Sequence, residues 1–207
     1  MRPLETLSPP GPGKREERKA QNRAKLLTAA RKVFAEKGIG AATARDIVRE
    51  TDLASGTFYN YFDSKEGVFT ALIEEATAKA RARVREGRRA PASSLEERVE
   101  RGYRAYFDFV VEERELFQVL RRNAGALAIM EQRNLFAVGE RDLVEDLADW
   151  ARAGEVPDVD LELLAQAMVG AGVHVASHLV DADVPDPAAA ARFCARLVLG
   201  GVGALVR

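Results

Sequence analysis

The chain has 207 residues, 47% of them hydrophobic and 30% charged, with a formal net charge of −1. That length gives one large or two small domains with a real core, and the near-zero charge argues against a general nucleic-acid binder. The single cysteine, Cys194, excludes an intrachain disulfide. No apolar run at the N-terminus suits a signal peptide, and no uninterrupted apolar stretch approaches the ~20 residues of a spanning helix, so a soluble cytoplasmic protein is expected.

Residues 1–13 (MRPLETLSPPGPG) are rich in Pro and Gly and should be a disordered tail. Lys14, Arg15, Arg18, Lys19 and Arg23 follow. They suit an arm lying over DNA phosphate or in the minor groove, and equally a solvated helix start. The spacing of Leu26, Leu27, Ala30, Val33 and Phe34 predicts a helix over about 16–37, stopped by Gly38.

Residues 43–65 (TARDIVRETDLASGTFYNYFDSK) then read as two short helices joined by a tight turn. Thr43 is a plausible N-cap with Asp46 in the capping-box position, and Ala44, Ile47 and Val48 form an inner face. A helix over Ser55–Phe62 points Phe58 and Phe62 one way, with Ser55 and Tyr61 on the flanks. Gly56, Thr57, Tyr59 and Asn60 occupy the opposite arc. No carboxylate stands there to be repelled by phosphate, and short polar groups can touch base edges. The pattern is a helix-turn-helix. A further helix starts near Ser64, capped either by Asp63 with Glu66 or by Ser64 with Gly67.

From Arg23 to Leu72 the chain resembles the DNA-binding domain of the TetR family of transcriptional regulators. The resemblance rests on KLLTAARKVFAEKG (Lys25–Gly38), TARDIV and GTFYNYFDSKEGVF (Gly56–Phe69), about a quarter of the chain. Two positions depart from the family pattern. Asp52 stands where the turn usually carries Gly, and Ala54 where Ser usually caps the recognition helix. Either Ser55 caps one residue late, or an N–H is left to phosphate or water. By similarity to the family, Thr43, Arg45, Tyr59 and Lys65 are expected phosphate contacts, and Gly56, Thr57 and Asn60 are the base-reading candidates.

Charge is unevenly spread. Residues 14–65 hold 12 Lys/Arg against 7 Asp/Glu, and residues 66–207 hold 18 against 24. A basic head on an acidic body is an electrostatic handle of defined orientation. The run KARARVREGRR (Lys79–Arg89) is better read as a solvated helix end, since cations suit a helix C-terminus.

GRRAPASS (Gly87–Ser94) reads as a linker. Every later segment is helical in pattern. The expected divisions are a tail (1–13), a helix-turn-helix domain (14–65), a connecting helix and linker (66–90), and a helical domain for ligand binding and dimerisation (91–207). Leu95, Val99, Tyr103, Tyr106, Phe107, Val110 and Val111 mark one long helix. Leu116, Phe117 and Leu120 mark a short one. Residues from Ile129 and Met130 through Phe136 to Trp150 line another. Two more, about 160–180 and from Pro187 to near the C-terminus, are apolar over most of their circumference and rich in Gly and Ala. Such helices must be covered on all sides, which points to a four-helix dimer interface built from two copies.

His174 and His178 lie at i, i+4, with Asp181 one turn on. That spacing can hold a metal, but without a third strong ligand or an HExxH motif no metal or cofactor is expected. No nucleophile elbow or phosphate loop supports an enzyme. Tyr103, Phe107, Phe117, Trp150 and His174 are effector-pocket candidates, an assignment that follows from the resemblance together with the concentration of aromatic residues.

The reading is an all-α, homodimeric, DNA-binding transcriptional regulator, most simply a ligand-responsive repressor. Its partners would be a double-stranded operator, a second copy through the last two helices, and a small apolar effector. The alternatives are a helical small-molecule- or metal-binding protein with a vestigial helix-turn-helix, and a protein-interaction module using its apolar C-terminal helices.

Overall fold

The computed structural model describes residues 13–123, 125, 129 and 135–205. Most of the expected disordered tail lies outside the described residues, as do Met130 and the side chain of Phe136. The regular elements are all helical: α1 (Lys14–Ala41), α2 (Ala44–Arg49), a 3-10 segment (Ser55–Asn60), α3 (Lys65–Arg89), α4 (Leu95–Glu112), α5 (Arg114–Arg122), α6 (Leu135–Arg152), α7 (Leu161–Asp181) and α8 (Pro187–Leu205). The chain divides into two compact units, Met1–Ala71 and Leu72–Arg207.

In the first unit, α1 buries Leu26, Leu27, Ala30, Val33 and Phe34, the stripe its spacing demands. Its regular run breaks at Gly38, where φ is +72°. Glycine takes that left-handed conformation without a Cβ clash. Thr43 then caps α2 in a complete capping box: its hydroxyl accepts from the Asp46 N–H, and the Asp46 carboxylate accepts from the Thr43 N–H. The Thr51 hydroxyl closes α2, donating to Val48 O at 2.8 Å and accepting from the Leu53 N–H at 3.2 Å. At the start of α3 the Ser64 hydroxyl accepts from the Gly67 N–H at 3.1 Å. Ser64 with Gly67 is therefore the pairing used, rather than Asp63 with Glu66.

The segment after the turn is a 3-10 helix, not the α-helix expected over Ser55–Phe62. Its N-cap is Ala54, which offers no side-chain acceptor, and Ser55 does not cap one residue late. Gly56 and Thr57 add weak helix propensity. Short i→i+3 bonds, Thr57 N–H to Ala54 O at 2.8 Å and Tyr61 N–H to Phe58 O at 3.0 Å, hold the two turns instead.

In the second unit, α4 runs through the middle and touches α5, α7 and α8, while α7 also touches α5, α6 and α8. Val99, Tyr103, Phe107 and Val110 of α4 meet Leu143, Leu147 and Trp150 of α6 and Ala165, Met168, Ala176 and Leu179 of α7. Ser94 caps α4 through the Glu97 N–H, Asp160 caps α7, and Asp186 caps α8 ahead of Pro187.

Three sequence expectations are corrected in this unit. The connection before α4 is shorter than Gly87–Ser94, because Gly87 to Arg89 complete α3. The cationic run at the end of α3 is not simply solvated: Arg88 is 7% exposed and donates to Asp146. Finally, α7 is long and apolar enough to cross a membrane by length and composition, with a mean hydropathy of 1.4 over its best window. Its inner face packs as a core helix, burying Ala165, Met168, Gly172, Ala176, Leu179 and Val180.

Gly87 permits α3 and α4 to meet closely. A Cβ there would stand 2.9 Å from the Arg101 carbonyl oxygen. Gly87→Ala gains about 1 kcal/mol of helix propensity but forces a backbone shift costing about 1–3 kcal/mol. The expected outcome is a lower unfolding midpoint, read by thermal or denaturant melts; a more stable variant would show that the two helices can separate freely.

Candidate nucleic-acid interface and central cavity

The exposed surface of the first unit centres on the 3-10 segment. Phe58 is wholly buried and Phe62 nearly so, with ring centroids 6.0 Å apart. They anchor a backbone that has no cap. At three residues per turn, Gly56 and Tyr59 share one side and Thr57 and Asn60 another. Tyr59 is 65% exposed, Gly56 and Asn60 are exposed, and Thr57 is half-buried. Tyr61 turns back towards α1, where its hydroxyl accepts from the Asn22 amide at 3.1 Å.

The surrounding cations fall into two groups. Arg45 is exposed beside Thr43 on α2, and Lys14, Arg15, Arg18 and Lys19 are exposed on the first turns of α1. Arg23 lies over the Phe62 ring at 5.4 Å. Lys65, expected at phosphate, uses its three donors inside the protein: Nζ donates to the carbonyl oxygens of Ile39, Gly40 and Ala42 at 2.8–2.9 Å. Those carbonyls lie where α1 breaks and would otherwise be orphaned. The acids of this unit are drawn away from the reading face by lysines, through Lys25–Asp52, Lys32–Glu50 and Lys37–Asp46 pairs. Asp52 occupies the turn as a bidentate acceptor of Lys25, with both oxygens at 2.8 Å.

In the second unit a cavity of about 170 Å³ opens between α3, α4, α5, α6 and α7. Tyr103 and Phe117 line it. Phe107, Trp150 and His174 do not. Phe107 is sealed in the core, Trp150 lies under the Arg98 guanidinium at 5.7 Å, and His174 is on the exposed strip of α7. Tyr103 spends its hydroxyl on Met168 O at 2.9 Å. Desolvation pushes the phenols of Tyr103 and Tyr106 upwards.

Residues that pattern alone did not single out complete the wall. Arg81 of α3 makes a bidentate pair with Asp142 of α6, and Arg88 pairs with Asp146 one turn further on. The Arg81 hydrogen bond holds the Asp142 carboxyl below its usual range. Gly102 makes room for this: a Cβ there would lie 2.7 Å from Arg88 Cγ. The i, i+4 spacing of Asp142 and Asp146, against Arg81 and Arg88, was the available signal. His174 and His178 are both exposed and Asp181 pairs with Arg121, and no group of three metal-ligating side chains occurs among the described residues.

A helical reader with an exposed, acid-free tip beside a larger helical bundle with an apolar cavity defines a DNA-binding regulator of the helix-turn-helix class. The comparisons agree. Residues 26–72 match the bacterial regulatory proteins of the tetR family, and residues 95–201 match the tetracyclin repressor-like C-terminal domain. The chain belongs to the TetR family of transcriptional regulators. It is 25% identical over 187 residues to the HTH-type transcriptional regulator YdgC of Bacillus subtilis, covering 88% of this chain and 93% of that one. Its fold is similar to the fatty acid degradation regulator FadR of Bacillus halodurans, with a TM-score of 0.75 at 22% identity over 94% of this chain and 98% of that one. FadR of Bacillus subtilis in complex with stearoyl-CoA gives a TM-score of 0.73 at 22% identity over 86% and 98%.

Asp46 offers a local test of the reader's geometry. A hydrogen bond from Lys37 and then one from Thr43 bring its carboxyl down to about 2. A lowered value means that its contribution is present above the ordinary carboxylate range and is lost as pH falls through the lowered value. Lys37→Met should raise the Asp46 midpoint, as followed by NMR of the carboxyl carbon; an unchanged midpoint would show that this contact is not held in solution.

Proposed function

We propose that the protein is a homodimeric repressor whose effector enters the C-terminal bundle. The single observation that supports the reading role is the exposed, acid-free face of Gly56, Thr57, Tyr59 and Asn60 standing on two buried phenylalanines. Residues 14–65 would form the reader, 66–90 the connecting helix and linker, and 91–207 the ligand-binding and dimerising body. Thr43, Arg45 and Tyr59 would contact phosphate. Lys65 would hold the corner between α1 and α2 and add its charge to the local field rather than a free donor. Gly56, Thr57 and Asn60 would meet base edges. Phosphate contacts set affinity and its salt dependence, whereas base contacts set sequence preference. Tyr59→Ala should weaken binding to a panel of sites about equally, and Asn60→Ala should relax preference at one position. Gel-shift titrations across the panel read both. A uniform loss for Asn60→Ala would remove its reading role.

Dimerisation is supported by the outer faces of the last two helices. Leu163 of α7 is 63% exposed, and Phe193 and Leu197 of α8 are 61% and 58% exposed. Nothing lies within 4 Å of a Cβ built at Gly170, Gly200 or Gly201, so a second backbone can come close. Two readers would then reach half-sites about one helical turn apart, ~34 Å. A cytoplasmic location follows from this role. An effector would release DNA only through its preference for one of two dimer conformations. Light scattering should give a dimer for the native chain and a monomer for Phe193→Glu with Leu197→Glu; a native monomer would overturn the assembly.

A further inference from the structure

The chemistry of the central cavity narrows what can occupy it, and this inference rests on the effector reading above. Its charged wall groups are already neutralised in pairs. Both Asp142 oxygens accept from Arg81, and the pair is completed along α3 by Arg88 donating to Asp146. Arg89, a second partner of Asp146, is not among the lining residues. An anionic ligand would meet the Asp142 carboxylate and could claim an arginine only by breaking one of these pairs. A cationic ligand would find that carboxylate already saturated. Either case leaves a half-buried charge without its partner, which costs more than the new contact returns.

Two neutral groups on the wall remain unspent. Tyr106 and Thr77 both line the cavity, and neither hydroxyl has a hydrogen-bond partner among the described residues. No fully buried side-chain polar atom is unpaired, so these hydroxyls stand at open surface rather than sealed in the packing. Burial pushes the Tyr106 phenol up to about 12, so it stays protonated near neutral pH and can donate. Around them the wall is apolar: Ala76, Val84, Phe117, Leu120, Leu143 and Val169. The space is about 170 Å³. Since a dry cavity of ~150 Å³ takes benzene, the fit is a substituted single ring of roughly ten non-hydrogen atoms.

We infer that the effector is a compact, uncharged lipophile with one hydrogen-bonding oxygen, such as a phenol or aryl ketone, received by the Tyr106 hydroxyl with Thr77 beside it. Carboxylates and acyl thioesters of a nucleotide carrier are excluded by the balanced Arg–Asp wall. In this the chain differs from the structurally similar FadR crystallised with stearoyl-CoA.

The test uses the full chain and calorimetric titration at neutral pH with 4-propylphenol, 4-propylbenzoate and propylbenzene. The phenol should bind, with the benzoate weaker by more than about tenfold. Tyr106→Phe should lower phenol affinity about fivefold and leave propylbenzene unchanged. Thermal melts of the variant and a parallel Thr77→Val titration check that the wall is intact. A benzoate that binds as tightly as the phenol, an unchanged phenol-to-propylbenzene ratio in Tyr106→Phe, or no binding by any of the three would overturn the inference. DNA release is measured separately. If the phenol binds without altering operator affinity, ligand-responsive repression fails and the ligand class stands; if only the benzoate releases DNA, the ligand class fails and the repressor reading stands.

Discussion

Burial of Phe58 is the constraint on which the reading face depends. The segment that carries it is too short to be stable alone, starts without a side-chain cap, and contains a glycine and a β-branched residue. Sinking one aromatic side chain contributes about 1.5–3 kcal/mol, and Phe62 adds a second anchor just beyond the segment. With those two rings fixed, Tyr59 and Asn60 have little choice but to face outwards. The same unit shows why its acids do not spoil a phosphate-facing surface. Each of Asp46, Glu50 and Asp52 is matched by a lysine from α1, so negative charge is compensated along the flank rather than displayed at the tip.

The second unit has a different logic. Its core is conventional, with α4 surrounded by α5, α7 and α8. The C-terminal half of α3 instead reaches α6 through long arginine side chains that end on Asp142 and Asp146. Pairs that span a gap leave room beneath them, and the cavity lies there, lined by small residues such as Ala76, Ala80, Gly102 and Gly172. Glycine and alanine along these helices thus serve two ends. Gly87 and Gly102 admit a neighbour, whereas Gly170, Gly200 and Gly201 face open space on the outer strip.

Much of the fold was legible in the chain. Helix extents, the Gly38 stop, the Thr43–Asp46 box and the Asp186–Pro187 start are local features, and local hydrogen bonding and dihedral preference decide them. The 3-10 character of Ser55–Asn60 was not legible, because an α-helical and a 3-10 reading both bury Phe58. The arginines of α3 were misread as solvated for a related reason: a charge run looks the same whether it meets water or a carboxylate two helices away. His174 was grouped with the aromatics by helix membership, but its position around the axis turns it outwards.

The sequence by itself determined an all-helical chain with a helix-turn-helix reader and two apolar C-terminal helices, because hydrophobic period, caps and glycine stops act over a few residues. Only the tertiary structure decided which side chains meet at the cavity, that Arg81 and Arg88 are paired there, and that Lys65 is committed to three carbonyl groups. Those outcomes join residues 23 to 61 positions apart, and packing geometry rather than local preference selects such partners.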